Sequence, residues 1–186
     1  MPRFDLPDIR KPLRAVLCGL LLAATLTATD ARADLAAVAS AVPSAELVGK
    51  GRMTMFGFKV FDAELYAPGG TYRAADPFAL KLIYLRNFKG EDITESSIKE
   101  IRRQGGATSG QLASWEKQLR LILPNVSRGQ SLTGVRTSGG ATDFYSGRRK
   151  LGTINDPAFT KKFFAIWLGN STRNPRLRAK LVGAGA

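Results

Sequence analysis

The stretch NDPAFTKKFFAIWLGNSTRNPRLRAKLVG, from Asn155 to Gly183, limits what this chain can fold into more than any other. Asp156 is a good acceptor for the free N–H groups at a helix start. Pro157 fits the first helical position, where its missing N–H costs nothing and its φ is already helical. From there Phe159, Phe163, Ile166 and Trp167 recur at three-and-four spacing on one face, Lys161 and Lys162 fall on the other, and Gly169 is placed to stop the helix. Full burial of four such side chains is worth roughly 1.5–3 kcal/mol each, so this face must lie on something broad and apolar, and a β-sheet is the surface that fits. A second short helix is predicted from Pro175 to Leu181, carrying Arg176, Arg178 and Lys180, with Gly183 as its C-terminal stop.

The other end of the chain reads differently. Arg10, Lys11 and Arg14 precede an apolar run from Ala15 to Ala28, and Ala31-Arg32-Ala33 forms an A-x-A site ahead of Asp34. This pattern predicts a secretory signal over residues 1–33, hence a periplasmic protein, and one domain over residues 34–186. The competing reading, a membrane anchor, meets an apolar run broken by threonines and short of the roughly twenty residues a span needs. Cys18 sits near the start of that run, the wrong place for a lipid-modified cysteine.

Loss of residues 1–33 would remove Arg3, Arg10, Lys11, Arg14 and Arg32 together with Asp5, Asp8 and Asp30, leaving +11 of the +13 formal charge. Such an excess favours anionic partners, a carboxylate ligand or an anionic lipid surface, and in an exported protein no nucleic acid. The cations are dispersed through Arg102-Arg103, Arg148-Arg149-Lys150, Lys161-Lys162 and the last helix, so plain solubility is the competing reading. Beyond residue 33 there is no cysteine and no histidine, which excludes disulfides, thiol nucleophiles, histidine triads and the usual zinc sites. No clustered carboxylates follow a D-x-D-x-D-G pattern either, so neither metal nor cofactor is expected.

After an alanine-rich lead-in from Asp34 to Ala41, the sequence LVGKGRMTMFGFKVFDAELYAPGG is rich in β-branched and aromatic residues and ends in a turn. It predicts two strands, or one bulged strand, with a bulge or turn near Gly57, because Phe56, Phe58 and Val60 share a parity with Asp62 and Glu64. Those two carboxylates share a strand face; a solvated or sheet-edge place suits them better than acid–base work. PFALKLIYLR, Pro77 to Arg86, is a further strand. A helix follows, with Asp92 and Glu95 at capping-box spacing and Ile98 and Ile101 as its stripe, then another from about Ser109 with Leu112, Trp115, Leu119 and Ile122 on one face and Glu116 paired to Arg120. Turn signals at Ser138-Gly139-Gly140 and Ser146-Gly147 divide residues 130–154 into a three-stranded meander. The class is therefore α+β, a largely antiparallel sheet covered on one face by helices.

Taken together, GKGRMTMFGFKVFDAELYAP, FALKLIYLRNFKGEDITESSIKEI, the tryptophan helix ending in LPNV, DFYSG, and DPAFTKKFFAIWL followed by LR and LVG resemble the bacterial chalcone isomerase-like proteins over nearly all of residues 34–186. The resemblance implies an open-faced β-sandwich, a large mostly antiparallel sheet backed by helices, with a ligand cleft between the two. It also implies an anion-binding arginine at Arg52, one residue short of the family's Gly-x-Gly-x-Arg spacing. The hydroxyl residue later in that hairpin falls at Phe61, and the isomerases' tyrosine and asparagine fall near Ile93 and Glu100. With those polar groups replaced, transition-state stabilisation by positioned donors would be largely lost. Arg52 and Phe61 are thus the candidate ligand-binding residues, and no catalytic residue is assigned. The expectation is an exported binding module for a small apolar ligand, fatty-acid-like and with or without a carboxylate. The alternatives are an intramolecular lyase of the chalcone isomerase type and a basic envelope protein that meets anionic lipid.

Overall fold

The computed structural model describes residues 41–183. The predicted export signal, its cleavage site and the lead-in as far as residue 40 lie outside the described residues. Six strands form one antiparallel meander in chain order: β1 (Ala45–Met55), β2 (Phe58–Pro68), β3 (Phe78–Tyr84), β4 (Ser131–Arg136), β5 (Thr142–Ser146) and β6 (Arg149–Ile154). Helices α1 (Gly90–Gln104) and α2 (Ser109–Ile122) connect β3 to β4, and α3 (Pro157–Leu168) and α4 (Pro175–Val182) follow β6. This is the expected order of elements.

Period-two alternation separates the two faces of the sheet. Phe61, Ala63, Leu65 and Ala67 of β2, with Phe78, Leu80, Leu82 and Tyr84 of β3, share one core with Ile98, Ile101, Trp115, Leu119, Phe159, Phe163 and Leu181 of the helices. The opposite parity puts Asp62 and Glu64 on the second face, where Lys81 lies 3.9 Å from Glu64 and Tyr66 donates to Glu64 at 2.8 Å. Val42 sits over Tyr66, Ala79 and Val135 at one end of that face. The turn near Gly57 is real, and a bulge lies close to it in β2, where Val60 is the extra residue between the pairs Thr54–Lys59 and Met53–Phe61. A second irregularity is in β1, where Val48 is the extra residue between Leu47 and Gly49.

The helix α3 starts as its sequence predicts, with Asp156 accepting from the N–H groups of Ala158 and Phe159 at 2.8 and 3.2 Å. Its buried face is turned from the expected one. Phe159, Thr160, Phe163, Phe164 and Leu168 are buried, while Ile166 and Trp167 are only partly so. The reason lies in the sheet. Phe164 drives into the space left by Gly134, where a Cβ would stand 3.3 Å from its ring, and meets Phe78 edge-on at 4.7 Å. The start of α1 also differs. It begins at Gly90, capped by Lys89 with no side-chain hydrogen bond, and the Gly90 N–H is held by Asn125 Oδ1 at 3.0 Å, so Asp92 and Glu95 form no capping box. The box belongs to α2, where Thr108 and Gln111 satisfy each other's backbone N–H groups.

Register places the loops at two opposite ends of the sheet. One end gathers the β1–β2 turn at 56–57, the segment 85–89, the loop 127–130 and the β5–β6 turn at 147–148. The other gathers the segment 69–77, the turn at 137–141 and the start of α3.

Candidate functional site

Arg52, expected in the cleft between sheet and helices, lies on the face turned away from the helices. Its strand neighbours explain this. A Cβ on Gly49 would stand 2.1 Å from the Lys180 carbonyl oxygen, and one on Gly51 would stand 2.7 Å from Leu177 Cδ1, so both glycines face α4 and Arg52 takes the opposite parity. There its guanidinium grips Asp62 bidentately, Nε to Oδ1 at 2.6 Å and Nη2 to Oδ2 at 2.8 Å, with its side chain 46% exposed. The Arg52 hydrogen bonds hold the Asp62 carboxyl below its usual range, opposing the rise from desolvation, and the positive charges of Arg52 and Lys59 add to the lowering. The acidic partner that Arg52 requires therefore comes from the next strand.

Phe61 does face the helices. It is buried against Tyr84 with ring centroids 6.1 Å apart. Tyr84 in turn lines an interior cavity between sheet and helices, with Ile93 and Ser97 of α1, Phe144, Phe163 and Trp167 around it. Its volume is about 40 Å³. An apolar cavity needs roughly 150 Å³ to accept even benzene, so the aromatic side chains already fill the space a larger ligand would take. Ile93 offers this cavity no O–H or N–H donor, and Glu100 pairs with Arg103 and Arg173. Burial pushes the Tyr84 phenol far up, so it stays neutral at physiological pH.

A larger opening lies at the end of the sheet beside the start of α3. It encloses about 610 Å³ between the segment that includes Tyr72, Ala74 and Ala75 and the helix α3. Phe78, Phe164 and Leu168 give it an apolar floor, while Arg136 comes from the end of β4, Arg178 from α4 and Lys161 from α3. Among the described residues, no acidic one lines it. Arg178 is fixed by donating Nε to the Leu168 carbonyl at 2.8 Å and Arg136 by donating Nη1 to the Thr137 carbonyl at 3.2 Å. Each guanidinium has five N–H donors, so donors remain for an anion. Burial pushes the Tyr72 phenol up while Arg178 and Arg136 pull it back, which puts the phenol within electrostatic reach of both guanidinium groups.

A family model described as chalcone isomerase-like matches residues 33–183. The chain belongs to the chalcone isomerase-like family. Among solved structures, it is similar to a fatty-acid binding protein of Arabidopsis thaliana, with TM-score 0.58 and 12% identity over 76% of this chain and 89% of that one. At that identity the likeness is one of fold, and it agrees with the six-stranded antiparallel sheet backed by helices. No curated protein matches the chain.

In this chalcone isomerase-like protein the sequence reading missed Tyr72, Arg136 and Arg178. They lie in a loop, at a strand end and on a helix, and only sheet register and the α3–α4 turn bring them together. The one available signal was the pairing of Arg178 with an otherwise apolar stripe on the last helix, where Leu177 and Leu181 are buried.

Proposed function

We propose that this protein is an exported, non-catalytic member of its family that binds a small amphiphile with an apolar body and an anionic head, taken in the groove beside α3. The observation that carries the reading is the placement of Arg136 and Arg178 beside Tyr72, above Phe78, Phe164 and Leu168, with no acidic group among the described residues of the lining. Its volume falls within the roughly 300–1,000 Å³ of small-molecule sites, which the interior cavity does not approach. Two guanidinium groups at one rim suit a carboxylate or a similar head, and the aromatic floor suits a short acyl or aryl body. The fatty-acid binding protein that shares this fold supports the ligand class. Export rests on the pattern of residues 1–33.

A site at Arg52 and Phe61 is the alternative. It requires a ligand that draws Arg52 away from Asp62, and Arg52 and Phe61 stand on opposite faces of the sheet. Titrating the protein with a medium-chain fatty acid and with the alcohol of equal length separates the two. Arg136→Ala and Arg178→Ala are each expected to weaken the acid by roughly 2–5 kcal/mol and the alcohol much less. Loss at Arg52→Ala alone would move the site to the second face. No binding of any apolar acid, together with no copurifying ligand by native mass spectrometry, would remove the binding reading. Chalcone ring closure above the spontaneous rate would overturn its non-catalytic part.

A further inference from the structure

The end of the sheet opposite the groove carries an apolar tip. There β1 and β2 join through Phe56 and Gly57, whose φ values of 48° and 79° make a two-residue type I′ turn. Phe56 is 93% exposed, Phe58 60% and Met55 50%. Left-handed backbone is unfavourable for a bulky side chain, and full exposure returns nothing to the fold, so folding alone does not account for a phenylalanine here. Phe58 is braced by the guanidinium of Arg86, which stands 4.9 Å from its ring centroid.

Cations collect at the same end. Lys59, Arg86, Lys89, Arg128, Arg148 and Arg149 are exposed, and they stand on or beside the four segments that register gathers there. None of the six makes an ion pair within the described residues. Of the acidic groups nearby, Asp62 is held by Arg52 and Glu91 by Arg120, which leaves Asp92. The dispersal along the sequence is therefore misleading, because the fold gathers part of the positive charge along the end of the sheet whose β1–β2 corner carries the exposed aromatic side chains.

Aromatic rings at a protruding tip with cations around them match a bilayer surface, where rings enter the boundary of head groups and acyl chains and cations meet phosphates. A second copy of the chain is disfavoured, since like-charged ends would face each other. We propose that this end of the sheet docks on anionic lipid, with Phe56 at the deepest point. No helix among the described residues is long and apolar enough to cross a membrane. The groove, at the opposite end, stays open to solvent.

Cosedimentation with vesicles of phosphatidylcholine, with and without phosphatidylglycerol, tests this on the full chain. The apolar run from Ala15 to Ala28 can itself reach lipid where it is retained, so the deciding comparisons are between variants of one chain. Wild type is expected to prefer the anionic vesicles and to be released by salt. Arg148→Gln and Arg149→Gln should each weaken binding about fivefold, and Phe56→Ser about tenfold. In Phe56→Trp the emission should shift to the blue on adding anionic vesicles. Bound protein whose tip tryptophan emission stays unchanged, equal affinity for neutral vesicles, or no effect of Phe56→Ser would each overturn the proposal. So would a blue shift that follows protein concentration without lipid, which would indicate a second copy.

Discussion

The indole N–H of Trp115 on α2 donates to Oδ2 of Asp156 at 2.8 Å, while Oδ1 of the same carboxylate accepts from the first turn of α3. One side chain thus caps one helix and ties it to another, and the Trp115 and Phe159 rings meet edge-on at 5.7 Å beneath it. Asp156→Ala removes the cap and leaves a buried indole N–H without its acceptor. A loss of about 2–3 kcal/mol is expected in urea unfolding. Asp156→Asn keeps an acceptor and should lose about 1 kcal/mol or less.

That carboxylate also sets an acid limb. Burial alone would raise its pKa, but the indole of Trp115 and the N–H groups of Phe159 and Ala158 outweigh burial and hold it below the ordinary value. A group depressed in the folded state stabilises above its unfolded pKa, near 4 for aspartate, and the contribution is lost as pH falls through the folded value. Asp62 shifts in the same direction through Arg52. Unfolding free energy should therefore fall as pH drops below about 4, less steeply in Asp156→Asn, as measured by denaturant titration at several pH values.

Most elements could be read from the sequence because their signals are local. The Asp-Pro start of α3, the turn at Gly57 and the Trp115 stripe each lie within a few residues. What failed depended on partners distant in the chain. The parity of Arg52 is fixed by α4, some 130 positions later, whose backbone lies against Gly49 and whose side chains lie against Gly51. The buried face of α3 depended on Gly134 admitting Phe164. The groove has no sequence motif at all, since Tyr72, Arg136 and Arg178 belong to three segments.

The rotation of α3 changes which of its aromatics matter most. Phe159 is fully buried and touches the rings of Trp115, Phe144 and Phe163, whereas Trp167 is partly exposed and meets Phe163 alone among ring contacts. Phe159→Ala should destabilise by about 3–5 kcal/mol and Trp167→Ala by about 2. Calorimetric unfolding of the pair checks the order. The reverse order would mean that the helix presents the face expected from its spacing.

Gly49 and Gly51 should differ although they sit two apart on one strand face. The obstacle at Gly49 is backbone, the Lys180 and Leu181 carbonyl oxygens at 2.1 and 2.7 Å from a built Cβ, while at Gly51 it is the end of the Leu177 side chain. A side chain can turn aside and a docked helix cannot. Gly49→Ala is expected to cost more than about 3 kcal/mol and Gly51→Ala about 1–2, with α4 the first element to lose amide protection in hydrogen exchange. Equal effects would place α4 further from β1.

Phe56 offers the opposite case, a residue whose removal should stabilise. Its φ of 48° lies in the left-handed region, where L residues other than asparagine and aspartate are disfavoured by about 1–2 kcal/mol, and its ring is exposed, so no packing is lost with it. Asn-Gly is the preferred pair for a type I′ turn, and Gly57 already fills its second position. Phe56→Asn should therefore raise stability by about 0.5–1.5 kcal/mol, seen as a higher denaturant midpoint with an unchanged slope. The same change should weaken adhesion to anionic vesicles, since the side chain that strains the turn is the one placed to enter lipid. A variant that is more stable and binds vesicles equally well would leave the strain at Phe56 without a function.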